Sequence, residues 1–178
     1  MSVLIFAEAE KGKLKKSAKE LAFYGAKTAE MLGSECIALI IGSAEDAASL
    51  GQFGVSKVLQ TGSEVPFDSK VYAHAIADVA QAQSANTVIL AHSSSGKSIL
   101  GRLAVKLNAG SVSGVNALPN TDGGFKLRKG VFSGKAWAEY EIKSDTKVMS
   151  LMGNSVKPIP GEGSASVEQI DINIAASN

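Results

Sequence analysis

The chain has 178 residues, 45% of them apolar, and a formal net charge of +1. This length suits one domain, or one domain with a tail, and the apolar content is enough for a sizeable core. A nearly neutral chain is a poor candidate for nucleic-acid binding, because that needs a strong basic surplus. The longest uninterrupted apolar run covers residues 36–41 and is far too short to span a bilayer, so we expect no insertion into a membrane.

The N-terminus and the single cysteine bear on location. The chain starts directly with a strand pattern and shows no signal or transit pattern there. Cys36 is the only cysteine, so no disulfide framework is possible and a reducing compartment is expected. We therefore expect a cytoplasmic protein of bacterial type in which Cys36 is a buried packing residue rather than a reactive thiol.

The first two-thirds of the chain alternates apolar strands with helices. Buried strands are predicted at residues 3–7, 36–41, 57–61 and 87–90. Helices are predicted at residues 14–32, 44–50 and 70–83, and after a loop at 92–97. The strand at 57–61 is expected at the outside of the sheet. This alternation predicts an α/β fold with a parallel sheet and helices on both faces. Ligands of such sheets usually bind beyond the carboxyl ends of the strands.

After Gly110 the alternation of strands and helices ends. Strand patterns at 112–118, 125–128, 135–142 and 147–152 are separated by turn signals, and we interpret them as a C-terminal antiparallel meander with one wet face. Residues 154–166 contain two prolines and clusters of small residues, which is typical of a linker. An alternating strand follows at 167–174, with Ile170, Ile172 and Ile174 on one side and no predicted partner. The prediction is one domain over 1–153, then a linker and terminal strand over 154–178.

The loop at 92–97 is the main candidate for binding chemistry. Residues 91–98 fit a relaxed phosphate-loop pattern, and the candidate anion-binding residues are Ser95, Gly96, Lys97 and Ser98 at a helix N-terminus. The pattern is weak, since Ala91 replaces the usual first glycine and no apolar strand ends in an Asp that could help hold Mg²⁺. The favoured interpretation is a helix-capping loop with an exposed lysine.

Other catalytic patterns are weaker still. His92 precedes Ser93, Ser94 and Ser95, so a hydrolase with a histidine base and a serine nucleophile is one hypothesis. No G-x-S-x-G elbow supports it. His74 lies on the polar face of a helix, and no Cys, Asp or Glu cluster joins either histidine at ligand spacing, so no metal site is expected. The residues themselves therefore indicate no catalytic set.

Three blocks carry a resemblance to a known family: VLIFAE at 3–8, GKSILGRLAVKL at 96–107 and LRKGVFSGKAWAEYEI at 127–142. The three blocks occur in the same order as in the family. Over essentially the whole of its length, the chain resembles the N-terminal domain of the electron transfer flavoprotein alpha subunit. The resemblance implies an adenine nucleotide alpha hydrolase-like fold. It also implies an electron carrier rather than an enzyme, which takes electrons from flavin dehydrogenases, as in fatty acid β-oxidation, and passes them to a quinone oxidoreductase.

The resemblance also implies partners and cofactors. The family forms a heterodimer with a beta subunit, and its FAD is held mainly by the C-terminal domain of the alpha subunit, with no nucleotide in the N-terminal domain. The Gly-Gly-Arg-Gly segment that opens the flavin domain does not occur here, and Met152 stands where the family commonly has Arg. We therefore expect a scaffold domain that binds no FAD alone. The alternative is a small nucleotide-binding protein of the universal-stress type that uses the loop from Ser93 to Ser98.

Overall fold

The computed structural model describes residues 1–172 of the chain. Its strands are β1 (Ser2–Phe6), β2 (Ala9–Glu10), β3 (Lys13–Leu14), β4 (Glu35–Ile40), β5 (Lys57–Gln60), β6 (Ala85–Ala91), β7 (Gly110–Val115), β8 (Phe125–Val131), β9 (Ala136–Ile142), β10 (Lys147–Leu151) and β11 (Ser166–Gln169). Its helices are α1 (Lys16–Met31), α2 (Ser69–Ala82) and α3 (Ser94–Lys106), with a 3₁₀ helix at Ala47–Phe53.

A mostly parallel sheet organises the molecule. In the described residues, nine strands pair in the order β11-β5-β4-β1-β6-β10-β7-β8-β9, and β2 and β3 form a separate small hairpin. The strands from β11 to β7 in this order run parallel to their neighbours. The predicted α/β fold class is confirmed.

Both faces of the sheet are covered, which explains why its central strands are continuously apolar. Val3 and Ile5 of β1 face a core with α1 and the 3₁₀ helix, whereas Leu4 and Phe6 face a core with α2 and α3. All five residues of β1 are buried because successive side chains point to opposite faces, and each face has its own helical layer. Cys36 lies in the first of these cores and is 3% exposed, as predicted.

The predicted meander is correct for its hairpin and wrong for its last strand. β8 and β9 pair antiparallel over seven residue pairs, and β8 joins β7 through Val115 and Lys129. β10 does not return along β9. It lies between β6 and β7 and runs parallel to both, with Val148 to Leu151 buried. A strand buried on both faces needs two neighbours and two covering layers, and the turn before it does not reveal which strands those are.

The terminal strand finds its partner within the chain. β11 pairs in parallel with β5, so β5 is not the outer strand that the sequence predicted. The segment before β11 is also docked: the Glu20 carboxylate accepts hydrogen bonds from the N–H groups of Asn154, Ser155 and Val156, at 2.7 to 3.0 Å. Ile174 lies outside the described residues, and the domain boundary at 153 stays a prediction.

Candidate functional site

The carboxyl ends of β1 and β6 form the candidate site. The chain passes from β1 to β4 and β5 on one side, whereas β6 lies on the other side of β1. In open α/β sheets, ligands usually bind at this point, where the strand order reverses. Glu8 follows β1 there, and His92 and Ser93 follow β6.

The serine-rich stretch after β6 belongs mostly to a helix. α3 already begins at Ser94, with Ser93 as its N-cap. The Ser93 hydroxyl accepts a hydrogen bond from the Gly96 N–H at 3.0 Å, and the Lys97 N–H donates to the Ser93 carbonyl at 2.9 Å. The predicted loop at 92–97 is therefore too long. Serine is favoured at an N-cap because its side chain satisfies an N–H group of the first turn.

The four predicted anion-binding residues do not converge. Ser95 is half-buried and lines a cleft beside Glu8, whereas Lys97 is exposed. Gly96 is buried, and a Cβ added to it would lie 1.9 Å from the Ala91 carbonyl oxygen, so close packing explains this glycine. Ser98 donates its hydroxyl to the Ser95 carbonyl at 2.8 Å. These residues are spread around one helical turn, and their role in anion binding stays a prediction.

Glu8 is the residue that sequence reasoning missed. It is a buried carboxylate at the point where the strand order reverses, and its side chain is 8% exposed. One of its oxygens accepts a hydrogen bond from the Ser93 hydroxyl, and the other lies 3.0 Å from the Lys15 Nζ. The sequence signal that could have identified Glu8 is its position as an acidic residue directly after a buried strand. Its pairing with Ser93, 85 positions away, depends on the parallel alignment of β1 with β6.

A small cleft adjoins this carboxylate. Its volume is about 120 Å³, and its walls include Ser95 and the rings of Phe6, Phe67 and Tyr72. The rings meet edge to face, with centroids 5.9 Å apart for Phe6 and Tyr72, and 5.0 Å apart for Phe67 and Tyr72. The Tyr72 hydroxyl donates to the Val65 carbonyl at 2.9 Å. Burial, followed by the nearby negative charges of Glu64 and Glu8, raises the pKa of Tyr72.

His92 pairs with a distant serine and not with its neighbours in sequence. Its Nδ1 lies 2.8 Å from the hydroxyl oxygen of Ser150, which also accepts the Gly114 N–H at 3.0 Å. Ser150 is fully buried, so no substrate reaches that hydroxyl, and the Ser93 hydroxyl is held by Glu8. The hydrolase arrangement predicted for His92 and its adjacent serines is therefore not formed. Burial, and then the charges of Lys97 and Lys129, lower the pKa of His92.

Residues 1–172 contain no group of three or more His, Cys, Asp and Glu side chains that could hold a metal ion. His74 instead lies 2.8 Å from the Lys106 Nζ and 3.6 Å from the Asp78 carboxylate. None of the helices described above combines the length and the apolar character that crossing a membrane requires.

The β8–β9 hairpin carries three exposed aromatic side chains. Phe132 is 79% exposed, Trp137 is 60% exposed and Tyr140 is 44% exposed. The guanidinium carbon of Arg128 lies 4.6 Å from the centroid of the Trp137 ring, within cation–π distance. Arg128 and Trp137 therefore share one face of the hairpin, whereas Tyr140 lies on the opposite face of β9.

The fold is that of an α/β domain whose mostly parallel sheet is covered by helices on both faces. The family model described as "Electron transfer flavoprotein domain" matches residues 3–175. The chain therefore belongs to the electron transfer flavoprotein family, and the resemblance predicted from the sequence is confirmed.

Curated relatives agree with this assignment. The chain is 27% identical to "Electron transfer flavoprotein subunit alpha" of Mycobacterium tuberculosis, over 99% of this chain and 55% of that protein. It is 25% identical to "Probable electron transfer flavoprotein subunit alpha, mitochondrial" of Cryptococcus neoformans, over 97% of this chain and 51% of that protein. It is 26% identical to the alpha subunit of Mycobacterium leprae, over 97% and 53%. The chain spans about half the length of the curated relatives it matches.

Proposed function

We propose that this chain is a scaffold domain of an electron transfer flavoprotein alpha subunit. In this role it packs against a beta subunit and helps to position FAD that is held elsewhere in the complex. The names of its relatives support the alpha-subunit assignment. The observation that supports the docking role is the exposure of the aromatic side chains of the β8–β9 hairpin.

The hairpin exposes apolar surface and has a strained turn at its tip. Trp137 and Tyr140 leave apolar surface in water on β9, the last strand of the sheet at that edge. At the tip, Phe132, Ser133 and Gly134 all have positive φ, at 51°, 55° and 83°. Such a conformation is strained for a bulky residue such as Phe132. Tryptophan, tyrosine and arginine are the residues that most often dominate binding energy at interfaces. We therefore assign this hairpin to the contact with the beta subunit.

FAD and catalysis lie outside this chain in our proposal. The cleft beside Glu8 has a volume of about 120 Å³, and clefts elsewhere on the described chain reach about 250 Å³, whereas pockets for small ligands usually run from about 300 to 1,000 Å³. We expect the purified, desalted chain to show no flavin absorbance band, and such a band would contradict the proposal. A nucleotide site of the universal-stress type is disfavoured because the negative charge of the Glu8 carboxylate would repel the phosphate group of a nucleotide. Calorimetric binding of ATP or AMP, weakened by Lys97→Ala, would instead support that alternative.

The remaining parts of the proposal concern the complete protein. We infer that it carries electrons from flavin dehydrogenases to a quinone oxidoreductase, as the family resemblance implies. A reducing, cytoplasmic location fits the single, buried Cys36.

Association with the beta subunit of the same organism tests the docking role. We expect the chain to form a stable complex, and Trp137→Ala to weaken it about tenfold or more, since a central aromatic anchor is commonly worth at least that much. Analytical ultracentrifugation or size-exclusion chromatography of the mixed proteins gives the measurement.

Val105→Ser is the matched control for this test. Val105 is 82% exposed on α3, so its replacement also removes an exposed apolar side chain, but it lies away from the hairpin. We expect this variant to associate like the original chain. A chain that ignores the beta subunit, or an equal loss with both variants, would refute the proposed contact.

A further inference from the structure

His92 follows β6 at the carboxyl edge of the sheet, and one of its ring nitrogens is held by a buried group. Its Nδ1 lies 2.8 Å from the hydroxyl oxygen of Ser150. Ser150 belongs to β10 and is fully buried, whereas the imidazole is half-buried. The scaffold role gives this pair no task, and the direction of the hydrogen bond decides what the imidazole can do.

A β-bulge supplies the second partner of the Ser150 hydroxyl. The register of β7 against β10 shifts by one residue after Ser150, and Gly114 is the extra residue of β7. Gly114 has a φ of +72°, which glycine adopts without strain. Its N–H donates to the Ser150 hydroxyl oxygen at 3.0 Å. Bulges are common beside functional sites, where they redirect a group.

The proton of the Ser150 hydroxyl must also find an acceptor. A hydroxyl has one proton to donate and two lone pairs, and the Gly114 N–H occupies one of the lone pairs. Among residues 1–172, the His92 Nδ1 is the one acceptor that bonds to this hydroxyl. A proton on Nδ1 would leave a buried hydroxyl donor without an acceptor, and that is costly. The neutral ring therefore accepts at Nδ1 and carries its own proton on Nε2.

The Nε2 atom is the remaining polar group of the ring. Within the described part of the chain, it has no hydrogen-bond partner. The ring borders a cleft of about 190 Å³ that is also lined by Ser17 and Glu20 of α1. A neutral Nε2–H can donate to an oxygen atom of a docked molecule, but it has no lone pair with which to take up a proton.

The charged groups around the ring also favour its neutral form. Burial is the main cause of the lowered pKa of His92, and Lys97 of α3 and Lys129 of β8 lower it further. Glu20 lines the same cleft, but its carboxylate accepts three backbone N–H groups of residues 154–156. Protonation of the ring would have to occur at Nδ1, and it would reverse the hydrogen bond from Ser150.

We propose that Ser150 and the Gly114 bulge lock His92 as the neutral Nε2–H tautomer. The carboxyl edge then presents a fixed hydrogen-bond donor and no base, because the basic nitrogen faces a buried hydroxyl. Ser150 is a positioning residue, since it acts only through His92. This inference goes beyond the scaffold role and does not depend on it.

NMR of the ¹⁵N-labelled chain tests the tautomer without any substitution. Two-bond ¹H–¹⁵N correlations of the imidazole, recorded above the pKa of His92, distinguish a protonated from an unprotonated ring nitrogen. We expect the Nε2–H form to exceed the Nδ1–H form at least about tenfold. The Ser150 hydroxyl proton should exchange slowly with water, because it is buried and bonded. A proton on Nδ1 in the neutral ring would overturn the proposal.

Ser150→Ala tests the positioning role. We expect the excess of the Nε2–H form to fall by about threefold or more, because either ring nitrogen can then carry the proton. The pKa of His92 should rise, since the hydrogen bond that favours the neutral ring is lost. Equal tautomer ratios in S150A and the original chain would refute the role of Ser150. The measurement on the original chain decides the tautomer even if S150A does not fold.

Ser113→Ala is the matched control. Ser113 is the residue of β7 that pairs with Ser150, so this variant also removes a hydroxyl next to the bulge. The Ser113 hydroxyl lies 3.4 Å from the Lys129 Nζ and makes no bond to His92. We expect S113A to keep the tautomer ratio of the original chain. An equal change in S113A and S150A would mean that general loosening of the strands, rather than the Ser150 hydroxyl, sets the tautomer.

Discussion

At the scale of single residues, His92 shows how a buried partner fixes a functional group at the surface. Ser150 lies 58 positions further along the chain, and its hydroxyl oxygen is 2.8 Å from the His92 Nδ1. Gly114, which has a φ of +72°, directs its N–H to the same hydroxyl oxygen. The other ring nitrogen is left free of this network. The imidazole is thus oriented by groups that it meets only after β6, β7 and β10 align.

The titration of His92 follows from its surroundings. Burial is the main cause of its lowered pKa, and the positive charges of Lys97 and Lys129 add to it. We expect NMR titration to give a pKa for His92 below the ordinary histidine value. We expect Lys97→Gln to raise that pKa slightly, because an exposed charge acts weakly through solvent. Lys106→Gln, a change on the same helix beside His74, should leave the pKa of His92 unchanged.

The sign of the linked stability change is fixed by the same shift. A lowered pKa means that the unfolded chain binds a proton at His92 more readily than the folded chain does. Neutral His92 therefore makes its full contribution to the free energy of unfolding at a pH above the ordinary histidine pKa. That contribution is lost as the pH falls from the ordinary pKa through the lowered pKa of the folded chain. A pKa of His92 above the ordinary value, or a stability that rises as the pH falls through this window, would contradict the assignment.

At the scale of elements, the start of α3 is set by one close contact. The helix begins directly against the end of β6, so Gly96 packs on the Ala91 carbonyl and has no room for a Cβ. Glycine in a helix is normally unfavourable by about 1 kcal/mol relative to alanine. Its presence here indicates that packing outweighs helix propensity at this position.

Gly96 and Gly101 of the same helix give a matched pair. We expect Gly96→Ala to lower the free energy of unfolding by about 2 kcal/mol, since the added Cβ would press on a backbone oxygen that cannot move without distorting β6. A Cβ on Gly101 has no neighbour within 4 Å. Gly101→Ala should therefore raise the free energy of unfolding by about 0.5–1 kcal/mol through helix propensity alone.

Urea denaturation of the two variants gives the measurement. If both substitutions stabilise the protein equally, the close approach of Gly96 to Ala91 does not govern this helix start. If both destabilise it equally, a general intolerance of the helix to substitution would explain the result better than the local contact.

At the scale of the whole molecule, the segment after β10 connects distant parts of the sheet. Three of its N–H groups bind Glu20 of α1, Ala165 is buried beside the 3₁₀ helix, and β11 pairs with β5. A Cβ on Gly51 would lie 2.2 Å from the backbone nitrogen of Ala165, so the segment and the 3₁₀ helix pack backbone to backbone. Ile170 and Ile172 pack against the core formed with α2 and α3.

These contacts predict how truncation acts. A chain ended after residue 153 should lose about 3 kcal/mol or more of unfolding free energy relative to one ended after residue 172. The reason is that the shorter chain loses the pairing of β11 with β5, the burial of Ile170 and Ile172, and the backbone hydrogen bonds to the Glu20 carboxylate. Chemical denaturation of both truncated chains gives the comparison. Equal stability would instead support a domain that ends at 153, as the sequence predicted.

The sequence alone predicted the features that depend on local pattern. Continuous apolar runs predicted β1, β4 and β6, because a strand covered on both faces has no polar side. The helix predicted at 70–83 corresponds to α2, and the Asp68 carboxylate caps it by accepting the N–H groups of Lys70 and Val71 at 2.9 Å. The helix predicted after residues 92–97 corresponds to α3, whose buried face includes Ile99 and Leu103 at a spacing of four. These patterns involve residues only a few positions apart, so they can be predicted without knowledge of the tertiary structure.

The tertiary structure alone decided which elements are neighbours. The position of β10 between β6 and β7, the pairing of β11 with β5, and the contact of Glu8 with Ser93 all join residues far apart in sequence. Hydrophobic periodicity states that a residue is buried, but it does not state what covers it. Parallel strands share one apolar pattern, and only packing and the closure of connecting segments select among the possible orders. The fold class was therefore determined by the sequence pattern, whereas the contact of Glu8 with Ser93 exists only in the assembled sheet.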